Sequence, residues 1–254
     1  MKRFYIDPSN CDGKISVISG SDAKHITRVL RLKKNDIIGI FDGKGHEFEA
    51  KIITTGNKEV KVSISRILPA FCDSPVKITV AQAFLKDKKM DKLVKHLTEL
   101  GINSWIPFSA SRCVPDPGYN RLCTRKQKWK KIALEAVKQC NRSTITEICD
   151  AVTFDEAVKI GNKHDQKIIF WEKELKPLHT LITRSNNKNF SNFFIMIGPE
   201  GGFTGDEIEM AVNSDFITVS IGPRILRAET ATITACSLVQ YLFGDIGLER
   251  KKLI

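Results

Sequence analysis

From Asp36 to Leu68 apolar and polar residues alternate and are interrupted by turn residues, in the order "DIIGIF", "DGKG", "HEFEAKII", "TTGNK", "EVKVSISRIL". A period of two bounded by Asp-Gly and Gly-Asn predicts three strands joined by tight turns. Ahead of them, "SDAKHITRVLRL" carries Ile26, Val29 and Leu30 at helical spacing, with Ser21 placed as its N-cap. The sum is a small β-barrel with one helix. Lys24, Arg28 and Arg31 fall three or four apart, which lines them along one face of that helix. A row of phosphate ligands and a solvated face both satisfy this spacing.

"PAFCDSP", Pro69 to Pro75, is a proline-bounded turn and marks a domain boundary. Beyond it the period changes. "VKITVAQAF" reads as a strand, and "DKKMDKLVKHLTELG" as a helix with Met90, Leu93, Val94, Leu97 and Leu100 inward and Gly101 as its stop. "INSWIPF" is a further strand. A second helix is expected from Thr124, as N-cap, through Cys140, with Trp129, Ile132, Ala136 and Val137 on its apolar side. The short apolar runs "KIIFWE", "FFIMIG" and "ITVSIG" then alternate with helical stretches. Such alternation predicts an α/β domain with a mostly parallel sheet. Ligands of open parallel sheets bind at the carboxyl ends of the strands, and both "IGPEGG" and "IGPRILRAET" begin at such ends.

Composition places the chain among folded globular proteins, with 42% hydrophobic and 27% charged residues in 254. No apolar run reaches membrane-spanning length, and "MKRFYIDPSN" turns polar too early for a signal peptide, so a cytoplasmic location is expected. Seven scattered cysteines (11, 72, 113, 123, 140, 149, 236) include no C-x-x-C pair; they are read as reduced thiols, with neither a disulfide framework nor a metal site. Charge is informative once divided: the net +11 splits into +5 over residues 1–70, +6 over 71–160 and zero over 161–254. Basic excess confined to the first two thirds suggests a polyanionic partner, nucleic acid first, and a different task for the last third.

In "IGPEGGFTGDEIE", Ile197 to Glu209, three glycines, a proline and a glutamate follow an apolar strand directly, as Gly198 to Gly202. The spacing is neither that of a P-loop nor G-x-G-x-x-G, and H-E-x-x-H and G-x-S-x-G are missing from the chain. Glu200 would repel a phosphate at close range, so a neutral or cationic ligand fits better. Gly198, Gly201 and Gly202 would let the backbone approach a flat ring, although a strand-to-helix turn alone could also demand them. Thr204 and Glu207 in "TGDE" have the form of a capping box. In "SIGPRILRAETATITACSLVQYLF", Gly222 and Pro223 turn the chain, and a largely apolar helix is expected from Thr230.

Together, "IGPEGGFTGDE" and "IGPRILRAETA" resemble the signature pair of the RsmE group within the SPOUT class of methyltransferases. "RFYI", "HITRVLRL", "KDKKMDKLVKHLTELGINSWIPF" and "WKKIALEAVKQCNR" follow the family's order, so the resemblance covers nearly the whole chain. Three positions depart from it: Asn35 stands where glycine is common, Ala228 where threonine is usual, and Thr146 where proline is frequent.

The resemblance implies a PUA-like β-barrel that binds RNA over residues 1–70. Behind it, over residues 74–254, it implies an α/β SPOUT domain with a deep trefoil knot. It also implies S-adenosylmethionine as cofactor, a homodimer whose surface includes the C-terminal helix, and methylation of a uridine N3 in the decoding region of 16S ribosomal RNA on the small subunit. The cofactor would lie against Phe170, Trp171, Ile197, Gly198, Pro199, Glu200, Gly201, Gly202, Ser220, Ile221, Gly222, Ile225 and Leu226. Losing the N3 proton requires a group that accepts it or stabilises the anion. Arg227 is assigned to the anion with Glu229 holding its guanidinium, and Glu200 is the lesser candidate as proton acceptor. RNA contacts are expected at Arg3, Arg28 and Arg31 in the barrel and at Lys86, Arg112 and Arg142 near the cleft; the basic run Arg121 to Lys131 either extends that footprint or is a solvated helix face. A catalytically silent RNA-binding factor of the same architecture is the competing reading, and cofactor binding separates the two.

Overall fold

The computed structural model describes residues 1–12, 14–56, 58–69, 72–86, 88–113, 119–181 and 190–248. They divide into two compact units: Met1–Asp73 with Val137–Ile145, and Ser74–Ala136 with the chain from Thr146 onward.

In the first unit the three alternating segments form β4 (Ile37–Phe41), β5 (Glu47–Thr55) and β6 (Glu59–Leu68). Three shorter strands join them: β1 (Arg3–Tyr5), β2 (Cys11–Asp12) and β3 (Ile15–Ser19), giving the order β1-β4-β5-β6-β3-β2. Only β1 against β4 is parallel. Register shifts at Glu49/Ala50 and Ile52/Thr54 bend the long β5–β6 pair, as bulges do. The inward alternates Ile38, Ile40, Ala50, Ile52, Val60 and Val62 are almost fully buried and pack with Phe4, Ile18 and Ile26. The turn before β4 needs a left-handed residue: Asn35 has φ 80°, a conformation asparagine tolerates better than most side chains, so it can stand in for glycine.

The helix of this unit departs from expectation. α1 spans Gly20–Lys24 with Ser19, not Ser21, at the N-cap, and no side chain caps it. It continues as a π turn over His25–Val29, closed by the Leu30 amide on the His25 carbonyl. Arg31 lies beyond that turn at φ 53°, so it leaves the helical row of Lys24 and Arg28.

The second unit contains β7 (Lys77–Ala83), α2 (Lys89–Glu99), β8 (Ser104–Ser109), α3 (Tyr119–Cys140) up to Ala136, its last turn from Val137 belonging to the first unit, β9 (Glu147–Ile148), β10 (Val152–Thr153) and α4 (Phe154–Gly161). They are followed by β11 (Gln166–Phe170), β12 (Asn192–Ile197), α5 (Gly205–Asn213), β13 (Ile217–Val219) and α6 (Ala228–Phe243). Every strand pair is parallel, in the order β10-β8-β7-β12-β11-β13 with β9 also on β8. Both faces of such a sheet are covered, which explains why "FFIMI" is continuously apolar: Phe193 to Ile197 are all buried.

Helix ends follow local chemistry where the sequence supplied it. Gly101, at φ 83°, ends α2 in the left-handed conformation that favours glycine. Thr204 Oγ1 accepts the Glu207 amide at 3.2 Å while the Thr204 amide donates to Glu207 Oε2 at 2.8 Å, which is the expected capping box. Two expected caps are corrected. α3 begins at Tyr119, so Thr124 is internal, and α6 begins at Ala228 with Arg227 in extended geometry at its N-cap, so Thr230 lies within the first turn. The six cysteines whose side chains are described are free thiols, and among the described residues no helix is long and apolar enough to cross a membrane.

Candidate functional site

Because the strands are parallel, the loops after β11, β12 and β13 leave the sheet at one edge, and these three strands are neighbours. Between the loops lies a cavity of about 620 Å³. The end of β11 contributes Phe170 and Trp171, and the loop after β12 contributes Ile197 to Phe203. The turn after β13 supplies Ser220 to Arg227, and α6 supplies Ala228 and Ala231. All thirteen residues expected around a cofactor line this one space, as does Arg227. Pro223 and Arg224 of the same turn line it too, as do Glu172 and Lys89, which were not singled out from the sequence.

Backbone hydrogen bonds fix the loops to one another. The Trp171 amide donates to the Val219 carbonyl at 3.1 Å and the Ser220 amide to the Lys176 carbonyl at 2.7 Å. Beneath the glycine loop, Gln82 near the end of β7 is fully buried. Its Nε2 donates to the Ala83 carbonyl at 3.1 Å and the Gly198 carbonyl at 3.4 Å. The Thr232 hydroxyl lies 2.5 Å from Gln82 Oε1 and 2.7 Å from the Ala228 carbonyl, sharing one proton between two acceptors. One buried amide thus connects β7, the glycine loop and α6. A lone glutamine inside "ITVAQAF" was the available sequence signal.

The glycines have local reasons of their own. Gly202 has φ 67°, and a Cβ there would lie 2.6 Å from Glu172 Oε1; one at Gly201 would meet the Arg112 side chain at 3.0 Å. Arg112 Nη1 donates to the Gly201 carbonyl at 3.0 Å and the Phe203 carbonyl at 3.4 Å. This arginine, expected on RNA, therefore holds the loop in place.

Charge at the rim is arranged differently from expectation. Glu229 does not hold Arg227. Lys89 stands between carboxylates, 3.0 Å from Glu200 Oε1 and 3.3 Å from Glu229 Oε2. The Lys86 amide also donates to Glu200 Oε1, at 3.2 Å. Burial pushes the Glu200 carboxyl up, but the Lys89 ammonium and peptide N–H groups outweigh it and hold the group below the ordinary carboxylate value. A carboxylate so stabilised is a weak base, which counts against Glu200 as proton acceptor. Arg227 is exposed, and its guanidinium has no partner among the described residues.

Of the other arginines expected on RNA, one is buried, one is partly buried, and both are paired. Arg142 is 2% exposed and paired with Asp73 at 3.1 Å. Arg3 donates to both Glu47 oxygens, to the Arg142 carbonyl and to Ser143, and lies over the Phe41 ring. Burial makes a charge costly unless paired, and that pairing leaves both arginines committed within the first unit. Arg28, Arg31 and Lys86 are exposed. Among the described residues no three His, Cys, Asp or Glu gather as metal ligands.

Comparison with known proteins follows this division of the chain. A family model described as an RNA methyltransferase domain matches residues 72–240, and one described as an RNA methyltransferase PUA domain matches residues 18–65. A ribosomal RNA small subunit methyltransferase E from Buchnera aphidicola subsp. Acyrthosiphon pisum is 30% identical over 96% of this chain and 94% of its own. One from Bacillus subtilis is 29% identical over 95% and 96%. Among solved structures, a Legionella pneumophila methyltransferase in complex with S-adenosylmethionine superposes with TM-score 0.83 at 31% identity, covering 96% of this chain and 99% of that one. A Neisseria gonorrhoeae ribosomal RNA small subunit methyltransferase E bound to S-adenosylmethionine gives 0.82 at 28% identity, with 96% and 99% covered. With both parts matched in order along almost its full length, the chain belongs to the ribosomal RNA small subunit methyltransferase E family.

Proposed function

We propose that this protein binds S-adenosylmethionine in the cavity at the carboxyl edge of its parallel sheet and methylates N3 of a uridine in 16S ribosomal RNA, acting on the small subunit as a homodimer. The observation that carries this reading is the meeting of two backbone bends, Ile197–Gly202 and Ser220–Leu226, around one cavity.

The residues fit the cofactor. A volume of about 620 Å³ is within the range of small-molecule sites. Peptide groups of the two bends are available to the edge of an adenine, and Ile221, Ile225 and Leu226 to its faces. Glu172 and Glu200 supply negative charge where a sulfonium is to be held, which a phosphate ligand would not tolerate. When bound, S-adenosylmethionine supplies an electrophilic methyl group. The chain's part is to align acceptor and donor and to stabilise charge on the uracil as its N3 proton leaves. Arg227, unpaired at the rim, is suited to a uracil oxygen. Glu200, held ionised by Lys89, is suited to a fixed countercharge.

Exposed Arg28, Arg31 and Lys86 support RNA binding. Tyr241, 64% exposed on α6, and Leu248, 69% exposed beyond it, support a dimer surface at the C-terminal helix. The strand order, with β11 between β12 and β13, supports the family's knotted crossing.

The test is incubation with methyl donor and small subunits from cells lacking this modification, with free 16S RNA in a parallel arm, followed by mass mapping of the RNA. One N3-methyluridine formed on subunits and not on free RNA is the expected result. Cofactor binding by calorimetry without any methylation would favour a silent RNA-binding factor, and no cofactor binding would overturn the proposal.

A further inference from the structure

α2 and α3 are fixed against each other through one acid. Asp91 Oδ1 accepts the Trp129 indole N–H at 2.8 Å, and Asp91 Oδ2 pairs with the Lys128 ammonium. Trp129 itself is 2% exposed and packs edge-on against Trp105. Each of the two helices joined by this contact carries a basic row. On α2 and its N-cap, Lys88, Lys92 and Lys95 are exposed and fall four and three apart, sharing the ridge of Asp91. On α3, Arg121, Arg125 and Lys128 repeat that spacing.

Little on this surface offsets the charge. Lys128 neutralises Asp91, and Lys95 meets Glu99 at 3.8 Å. Lys88, Lys92, Arg121 and Arg125 have no ion-pair partner among the described residues. The row on α2 begins beside Lys89, which lines the cavity, and runs about 10 Å along the helix at 1.5 Å per residue.

We infer that these paired faces of α2 and α3 form a track for the RNA backbone leading away from the cavity, with the α2 lysines as its inner edge. The inference rests on the RNA-methylating reading above. An acidic protein partner is the competing occupant. Protein interfaces depend on apolar or aromatic anchors, and none of the exposed large hydrophobic side chains lies on described parts of α2 or α3. Binding by phosphate neutralisation needs no such anchor.

The test compares wild type with Lys88→Gln/Lys92→Gln/Lys95→Gln and, separately, with Arg121→Gln/Arg125→Gln, measuring affinity for 16S RNA from about 50 to about 200 mM salt. Each lost phosphate contact lowers the slope of log affinity against log salt by about 0.7 to 0.9, so the triple variant should lose about two units. Its S-adenosylmethionine affinity by calorimetry, and its melting temperature, should match wild type. A wild-type slope in both variants overturns the track and leaves the RNA reading standing. Wild-type protein with no salt-dependent RNA binding defeats both.

Discussion

Lys89 Nζ lies 3.0 Å from Glu200 Oε1, a contact between the first turn of α2 and the loop after β12. A cation is disfavoured at a helix N-terminus by the partial positive charge of the free amides, so the position is explained by its carboxylates. Glu200 is also tied to the segment just ahead of α2 through the Lys86 amide, and Glu229 to the first turn through Lys89 at 3.3 Å. One ammonium therefore holds the glycine loop and the start of α6 at the same rim.

Lys89→Met should weaken S-adenosylmethionine binding about tenfold or more, and Lys89→Arg should recover most of it, as read by calorimetry. The variant also has a pH signature. Glu200 titrates below its ordinary value in the wild type. Its contribution to stability is present above that ordinary value and is lost as pH falls through the lowered one. Without the ammonium the carboxyl is no longer held low, so this contribution is missing from Lys89→Met: the variant should be less stable than wild type above the ordinary carboxylate value, and the difference should shrink as pH falls through the lowered wild-type value. Melting curves across about pH 3 to 7 would show this convergence; a difference between wild type and variant that does not change with pH would refute the linkage.

Gly202 and Gly205 make opposite predictions within the same motif. At Gly202, φ 67° and a Cβ 2.6 Å from Glu172 both oppose a side chain. Gly202→Ala should cost about 1 to 2 kcal/mol from the left-handed backbone alone and displace Glu172 from the cavity, reducing cofactor affinity. Gly205 opens α5, and the space a Cβ would take there is clear of other atoms to 4 Å. Gly205→Ala should stabilise by about 0.4 to 1 kcal/mol and leave cofactor binding unchanged. Urea unfolding of both variants checks the signs.

The capping box of α5 should be unequal in its two halves. Thr204→Ala removes one acceptor and is expected to cost about 1 kcal/mol. Glu207 accepts the Thr204 amide and also, through Oε1, the Ser111 amide at 2.7 Å, while only 5% exposed. Glu207→Ala leaves two amides unsatisfied and should cost about 2 kcal/mol or more. Equal losses in the two variants would mean that the Ser111 contact contributes nothing.

That box was legible because its partners are three residues apart, and period-two and period-3.6 patterns are local in the same way. The alternating strands of the first unit, the parallel strands of the second and the stop at Gly101 could all be read from short windows. The Lys89 contacts could not, since Glu200 and Glu229 lie far along the chain and meet it only through the sheet order. Distance in sequence also misplaced Arg3 and Arg142, whose charge looked available until Glu47 and Asp73 were seen to bury it. The expected caps at Thr124 and Thr230 failed for a different reason. Hydroxyls mark a helix start only where the backbone turns extended, and at α6 that turn falls on Arg227.

Arg227 offers the cleanest separation of chemistry from structure. Its guanidinium is exposed and has no partner among the described residues, so truncation should change stability by no more than about 0.5 kcal/mol, as for other surface sites. Its backbone, not its side chain, serves the α6 N-cap, and an alanine can keep that geometry. The cofactor loops also keep their hydrogen bonds, since none involves this side chain. If the guanidinium stabilises developing charge on the uracil, Arg227→Ala should lower kcat about 100-fold or more, the usual effect of removing one such donor. S-adenosylmethionine affinity and melting temperature should stay at wild-type values, and Arg227→Lys should recover only part of the rate because it keeps charge without the planar fork. A variant that binds cofactor normally and methylates at the wild-type rate would remove Arg227 from the chemistry and leave alignment of donor and acceptor as the source of the acceleration.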